Sequence, residues 1–522
     1  MDYLQLVLAA VAVFTAFYYY VRRGLDFFKK HDILHIPPAL IFGNLGSIIL
    51  RKESMPSLLQ KLYDLHPDAK YVGFYDFANP VVLLRDTDII KSITVKNFET
   101  FSEHRSFADK KLDPLLGGML FLLTGNEWKE TRTQLTPIFT SSKLKGMFSL
   151  MSDVAIRFTD YLYKKSEKEQ ELEIKIWFTR YTNDLIASCV FGVGVNSIKD
   201  PKNPLYVNGT IATRMTGTLR FLQIHTLRRW RWLARLLNVK LIPNYRSKFF
   251  EDLIEDTMNH RDTKGIYRPD MLQFLMETKK KSQAEGHSST IDVPCHAFSF
   301  FFGGYDTVAS QASLTVYNLA THPEIQERLQ QEIDQVLEKT QGQVTYDTIL
   351  GMEYLDAVLN EAMRLHPTSI VLDRTCAKDF ELPPALPGHK PFTIKKGMSV
   401  WIPIRAVQND PKNYEDPDKY NPERFLQDGK KIVSSNKFFP FGAGPRGCIG
   451  SRFAVIEMKI LLFHVYARLT IRPCSKTNIP FKVSKNALVL TSENGFWMNV
   501  KPREHVSPFL NSAVSNGTSK TE

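Results

Sequence analysis

The chain has 522 residues, of which 43% are hydrophobic and 35 are phenylalanine, and its net charge is +12. Length alone suggests two to four domains, and the apolar fraction supplies a sizeable core. The positive charge is spread along the chain without runs, which speaks against a nucleic-acid arm and for a membrane surface or an acidic partner protein.

The five cysteines, Cys189, Cys295, Cys376, Cys448 and Cys474, form no C-x-x-C pair, so neither a disulfide scaffold nor a zinc site is expected, and the bulk of the chain belongs in a reducing compartment. At the N-terminus, Leu4–Val21 is an apolar run with one Gln and no charge, about 18 residues, long enough to cross a bilayer as a helix. Tyr18–Tyr20 would lie at the interface. Arg22, Arg23, Lys29 and Lys30 follow while only Asp2 precedes, so the positive-inside rule leaves the bulk in the cytosol. The competing reading is a cleavable signal peptide, but the usual basic n-region is missing and a secreted product would have no disulfide framework. Asn208-Gly209-Thr210 and Asn516-Gly517-Thr518 match the glycosylation pattern and would stay unmodified on the cytosolic side. His35-Ile36-Pro37-Pro38 is a stiff extended hinge. Residues 71–85 read as a β-hairpin around Ala78-Asn79-Pro80.

Trp128 and Arg132 lie in a helical stretch after the turn Thr124-Gly125-Asn126. At i and i+4 they share a face and can address one object, although such a pair alone is most often ordinary surface or core. Residues 225–237 carry four arginines, two tryptophans and four leucines, which suits a segment lying at a lipid surface as well as it suits a solvated amphipathic helix. Lys279–Ser289 reads as a surface loop. Asp292 is an N-cap, with Pro294 in the first turn of a long helix that runs to about Thr321 and ends at His322-Pro323. Inside it, Gly303 and Gly304 cost roughly 1 kcal/mol each against Ala, so they require a reason. Asp306 and Thr307 follow, and a threonine hydroxyl in a helix can satisfy a local carbonyl. Phe298, Phe301 and Phe302 are read first as core and second as a pocket wall.

Glu361 and Arg364 form an i, i+3 pair, followed about 60 residues later by Pro422-Glu423-Arg424-Phe425. Ile370–Arg374 reads as a strand. Ile479–Lys501 alternates enough for strands around the turn Glu493-Asn494-Gly495, with Phe496-Trp497 as further pocket candidates. Residues 505–522 are polar and read as disordered.

The chemistry concentrates in Phe441–Gly450, FGAGPRGCIG. Its glycines allow tight backbone turns beside Cys448, Arg446 adds positive charge, and the helix expected from Ile449 to Ala467 points its N-terminal dipole at the thiol. A thiolate so held is a metal ligand or a nucleophile, and no His/Asn arrangement for nucleophilic catalysis is evident. The stretch resembles the haem-ligand signature of the cytochrome P-450 family, Phe-x-x-Gly-x-Arg-x-Cys-x-Gly, with every fixed position filled.

That resemblance covers residues 30–503 and implies a mainly α fold with small β-sheets, the cytochrome P-450 fold, preceded by one N-terminal transmembrane helix. Its expected divisions are an anchor at 1–23, a hinge at 24–45 and a catalytic domain at 46–504. It implies haem b with Cys448 as axial thiolate. Trp128, Arg132, Arg374 and Arg446 become holders of the cofactor, together with Phe441, Gly442 and Gly450 of the cysteine loop. Gly303 lets the flat cofactor approach, Asp306 and Thr307 form an acid–alcohol pair relaying protons to dioxygen, and Glu361, Arg364 and Arg424 form the family's brace. One departure is Gln408, where relatives commonly carry His. The implied reaction is oxygen insertion into a small apolar substrate. No dinucleotide fingerprint occurs, so electrons from NADPH would arrive through a flavoprotein reductase, with cytochrome b5 as a further donor, met by a basic face that includes Lys129, Lys143 and Lys145. FFFGGYDTVAS, FETFSEHR and LTGNEWKETRTQLTPIFTSSKLKGMF look like insect microsomal members that oxidise plant toxins and insecticides, which implies the endoplasmic reticulum membrane. The alternative is a haem-thiolate isomerase or dehydratase that needs no reductase, against which the intact Asp306-Thr307 pair argues.

Overall fold

The computed structural model describes residues 3–215, 217–284, 291–487 and 489–510. In chain order, the elements used below begin with α1 (Tyr3–Leu25), β1 (Tyr71–Asp76), β2 (Asn79–Leu84), α2 (Gly125–Leu135), α3 (Ser141–Ser166), β3 (Glu171–Glu173) and α4 (Ile174–Ile186). There follow α5 (Pro204–Thr213), α6 (Thr218–Arg229), α7 (Arg231–Leu236), α8 (Met271–Ala284), α9 (Val293–Thr321) and α10 (Glu353–Leu365). The last are β4 (Val371–Thr375), β5 (Ser399–Pro403), α11 (Ser451–Arg468), β6 (Leu469–Pro473) and β7 (Trp497–Pro502). The fold is mainly helical with small sheets, as expected from the sequence.

The expected spanning stretch, Leu4–Val21, falls inside α1, a helix of 23 residues. Among the described residues, however, no helix is long and apolar enough to cross a membrane. Gln5, Thr15, Tyr18 and Tyr19 interrupt the apolar run at positions whose side chains are described. The transmembrane helix of the expected fold is corrected to that extent.

The chain divides into two compact units, the first made of Met1–Arg105, Ser369–Glu415 and Ser435–Gly447, the second of Ser106–Thr368, Asp416–Ser434 and Cys448–Glu522. The chain passes between them inside the cysteine loop, at Gly447–Cys448. In the first unit, the hairpin expected at 71–85 forms, with β1 and β2 antiparallel from Tyr71↔Leu84 to Asp76↔Asn79. It extends into a four-stranded sheet of order β1-β2-β5-β4, in which β2 and β5 are parallel and β4 and β5 antiparallel. All six residues of β1 are buried. Gly73 accounts for the tight packing of this sheet, because a Cβ there would stand 2.5 Å from the Phe28 ring. The proline hinge docks on the same strand, His35 bridging Gly73.

In the second unit, α9 is the central element. Asp292 caps it as expected, accepting the Cys295 N–H at 3.1 Å, and His322 ends it. From Val308 to Ala320 every side chain is buried, the mark of a helix enclosed on all sides. A three-stranded sheet of order β3-β7-β6 lies in this unit. The sequence reading missed β6 and placed strands too early: within 479–501 the described residues give only the Val483↔Ser492 bridge before β7 begins. Lys279–Lys281, expected in a loop, lie in the last turns of α8, and 285–290 fall outside the described residues. Of the tail expected to be disordered, 511–522 also fall outside them.

Candidate functional site

The cysteine loop belongs to the first unit up to Gly447. Gly442 and Gly444 take left-handed backbone at φ +80° and +71°, which other residues adopt only with strain. At Gly444 there is also no room: a Cβ would lie 1.9 Å from the Thr94 carbonyl oxygen. The N–H of Gly447 closes the turn on the Gly444 carbonyl at 2.8 Å. Phe441 is half-buried. Gln408, the departure from the family pattern, is fully buried and accepts the Phe439 N–H at 2.9 Å, so it packs under the approach to this loop.

Two of the expected cofactor holders sit in the same unit. Arg446 is buried and donates from Nε to the Ser102 carbonyl at 2.7 Å. Arg374 on β4 is fully buried, and its Nη atoms donate to neutral carbonyls, Asp373 at 2.7 Å and Ala443 at 3.0 Å, while its Nε carries no hydrogen bond. Burial pushes its guanidinium down to about 10, against the pull of Asp373. A buried cation with an idle donor is what a carboxylate-bearing cofactor would complete. The sequence reading missed the residues that set Arg374 in place. Asp373 accepts from the Arg105 N–H at 2.8 Å and meets His104 Nδ1 at 3.0 Å. Burial lowers the His104 pKa, opposed by Asp373 and assisted by the charges of Arg374 and Arg446.

The remaining site residues lie in the second unit. Cys448 is accessible to solvent, yet its sulfur lies deep enough that burial raises the thiol pKa, and the Gly450 backbone N–H and the Arg132 guanidinium only partly offset this. In the metal-free chain desolvation outweighs the Gly450 hydrogen bond and the Arg132 charge. Iron would reverse that balance, since a coordinating thiol is deprotonated outright. α11 starts at Ser451, two residues later than expected, with Gly450 as its cap residue. α2 carries Trp128, buried, and Arg132 one turn on, whose guanidinium is lowered by burial and raised by Cys448. Arg132 and the sulfur are thus brought into one electrostatic neighbourhood.

On α9 the adjacent glycines have different reasons. A Cβ at Gly304 would stand 2.9 Å from Ile186 Cδ1 of α4, whereas a Cβ at Gly303 would meet nothing within 4 Å. Gly304 permits helix contact, and Gly303 leaves open space. One turn on, Thr307 is exposed and donates its hydroxyl to the Gly303 carbonyl at 2.5 Å, the local bond expected of it. Asp306 forms an ion pair with Lys175 of α4, Nζ to Oδ1 3.1 Å. Phe298 and Phe301 are fully buried among Phe191, Phe250 and Tyr305, which makes them core; Phe302 is half-buried beside Phe298.

The triad assembles inside this unit. Arg364 Nε and Nη2 donate to the two Glu361 oxygens, both at 2.8 Å, with neither side chain exposed. Arg424 Nε lies 3.4 Å from Glu361 Oε1, which also accepts the Asn421 N–H at 3.0 Å. The cluster ties α10 to the 416–424 segment. Of the basic-face lysines, Lys145 pairs with Asp347 at 2.5 Å and Lys143 with Glu277 at 3.9 Å, so part of the expected positive face is already neutralised.

Taken unit by unit, the residues have the chemistry a haem group needs: in the second, an accessible sulfur at depth and an open helix face at Gly303; in the first, a buried arginine with an idle donor. Comparison with known proteins agrees. A family model described as Cytochrome P450 matches residues 35–498. The chain is 40% identical over 506 residues to Cytochrome P450 9e2 of Blattella germanica, covering 92% of this chain and 94% of that protein. It is 36% identical to Probable cytochrome P450 9f2 of Drosophila melanogaster, covering 93% and 97%, and 32% identical to Cytochrome P450 6B2 of Helicoverpa armigera, covering 94% and 97%.

Proposed function

The chain belongs to the cytochrome P450 family and is a monooxygenase-type oxidoreductase that uses haem with cysteine thiolate ligation; on that premise we propose that it inserts one oxygen atom from O2 into a small apolar xenobiotic, a plant toxin or an insecticide. When bound, haem would supply the redox chemistry of dioxygen activation, tuned by its cysteine thiolate ligand.

The roles proposed for this chain's own residues follow from their chemistry. Cys448 would supply the sulfur that holds the haem iron, and Phe441, Gly442 and Gly450 would shape the loop that presents it. Trp128, Arg132, Arg374 and Arg446 are hydrogen-bond donors and cations suited to the cofactor's carboxylates. Gly303 keeps a face of α9 clear. Asp306 takes a proton from solvent, and the Thr307 hydroxyl passes it on. Glu361, Arg364 and Arg424 hold their segment fixed.

The observation that favours monooxygenation over isomerisation or dehydration is the exposed Thr307 hydroxyl, bonded to the carbonyl of Gly303, where a Cβ would meet open space, with Asp306 beside it in sequence. A chemistry that needs no protons would have no use for that pair. Electrons are proposed to come from NADPH through a flavoprotein reductase, with cytochrome b5 as a further donor.

Two membrane contacts are proposed for residence on the endoplasmic reticulum. One is α1; the other is the 225–237 segment, which forms the end of α6 and α7. Around it Leu219, Trp232 and Leu236 are 72%, 68% and 73% exposed, with basic side chains among them. Such apolar exposure beside arginines suits a lipid surface. Without residues 1–30 the chain should still bind anionic liposomes, and changing Arg228, Arg229 and Arg231 to Glu should abolish that. The function itself is tested by the reduced carbonyl spectrum, where a red-shifted Soret band must vanish in Cys448→Ala. Product formation with reconstituted reductase then tests the substrate class, and turnover of fatty acids or steroids with none of toxins would overturn the xenobiotic assignment.

A further inference from the structure

α4 turns one face toward the glycine segment of α9, carried by Lys175, Thr182 and Ile186, whose spacings of seven and four place them along one side of a helix. Each meets a different residue of one short stretch. Ile186 lies against Gly304, Thr182 donates its hydroxyl to the Tyr305 carbonyl at 2.9 Å, and Lys175 Nζ stands 3.1 Å from Asp306 Oδ1. Three consecutive residues of α9 are thus each held by one side chain of α4.

The ion pair contributes little to stability, because Lys175 and Asp306 are 22% and 34% exposed and such pairs are weak. Its effect lies in where it holds a carboxylate. Adjacent residues on a helix do not face each other, so Asp306 and Thr307 point in directions about 100° apart. Asp306 can serve Thr307 only if its side chain is kept at one azimuth, reaching solvent on one side and the hydroxyl on the other. A bare carboxylate would sample several rotamers.

We propose that Lys175 is a positioning residue for the reaction, fixing the Asp306 carboxylate so that protons drawn from solvent pass by way of Asp306 to Thr307. The proposal rests on the reading of Asp306 and Thr307 as the acid–alcohol pair. The overall balance is RH + O2 + NADPH + H+ → ROH + H2O + NADP+. When protons arrive at the wrong place, the same two electrons instead leave as hydrogen peroxide, O2 + NADPH + H+ → H2O2 + NADP+. Lys175 therefore governs the partition between product and peroxide rather than substrate affinity.

The test uses the haem-loaded full chain with reductase and NADPH, on Lys175→Met, Lys175→Arg, Asp306→Asn and Lys175→Met/Asp306→Asn. In Lys175→Met, product per NADPH falls about tenfold, short of the roughly hundredfold that a 1 Å misplacement of a reacting group can cost. Peroxide rises to match, the substrate dissociation constant stays within about twofold, and Lys175→Arg restores coupling. A second readout needs no turnover: the infrared C–O stretch of the reduced carbonyl complex shifts in Lys175→Met and returns in Lys175→Arg, as it senses the carboxylate's placement. In the Asp306→Asn background, Lys175→Met changes neither readout further. If Asp306→Asn is impaired while Lys175→Met couples like the unaltered enzyme, or if Lys175→Met is impaired with an unshifted stretch and no rescue by arginine, the proposal is overturned. If Asp306→Asn itself couples normally, the acid–alcohol reading beneath fails first and takes the proposal with it.

Discussion

Glu361→Gln removes one charge from a cluster in which Glu361 and Arg364 have no exposed surface, and its cost can be worked from the contacts. The carboxylate accepts two bonds from Arg364 at 2.8 Å and one from the Asn421 N–H at 3.0 Å, with Arg424 at 3.4 Å. The amide keeps one acceptor oxygen and turns the other position into a donor facing Arg364. At least one charge-assisted bond is lost, each contributing about 1.5–3 kcal/mol, and the buried guanidinium is left uncompensated. Breaking a buried pair costs about 3–5 kcal/mol, and retention of one oxygen sets the expectation at about 3 kcal/mol. That is a large share of a total stability of about 5–15 kcal/mol, and with an unfolding entropy of about 2.1 cal/mol/K per residue it should lower the melting temperature by roughly 3 °C. Urea unfolding followed by circular dichroism, on Glu361→Gln, Arg364→Leu and the double variant, measures it. Because removal of both charges spares the protein an unpaired ion, the double variant should be less destabilised than the sum of the singles by at least about 1 kcal/mol. Additive losses, or a single-variant loss below about 1 kcal/mol, would refute the claim that this cluster is a coupled brace.

In the cysteine loop, Gly444→Ala meets both a left-handed φ and a carbonyl oxygen 1.9 Å from the new Cβ, while Gly442→Ala meets the φ with its nearest neighbour at 3.5 Å. Gly442→Ala should cost about 1–2 kcal/mol in urea unfolding, and Gly444→Ala clearly more, with lower haem content after purification. Thr307→Ala loses only the hydroxyl bond to Gly303, so unfolding should change by less than about 1.5 kcal/mol while peroxide per NADPH rises severalfold. His296 and His464 are both pushed down to about 4 by burial. Below the ordinary value near 6.5 the unfolded chain takes up protons that the folded one refuses, so stability is intact above that pH and falls as pH drops toward 4, by up to about 1.4 kcal/mol per pH unit for each histidine. Unfolding midpoints from pH 7 to 4.5 should show a shallower fall in His296→Phe, and an unchanged slope would count against the buried neutral ring.

What could be read in the sequence was local. The cap at Asp292, the end of α9 at His322-Pro323, the β1–β2 hairpin and the Phe441–Gly450 loop each announce themselves through residues within a few positions of one another, where turn chemistry and periodicity act. β6 did not, because Leu469–Pro473 follows α11 directly and its short alternation is hidden by the end of a buried helix. Nor did the ring of support around each site residue. His104 and Arg105 hold Asp373, the neighbour of Arg374, from a distant part of the chain, and Gln408 reaches Phe439, just before the cysteine loop, from a separate segment. The double glycine shows the same division. Sequence says that Gly303 and Gly304 need a reason and supplies the family's; only the packing separates a glycine spent on α4 from one that keeps a face open. The residues proposed to hold the cofactor are legible because their chemistry is rare at that spacing. The residues that aim them are common types made specific by tertiary placement, and Lys175 beside Asp306 is of this second kind. Reaction outcome should therefore be sensitive at positions no motif marks, which is where relatives sharing every motif can still differ in how their electrons are spent.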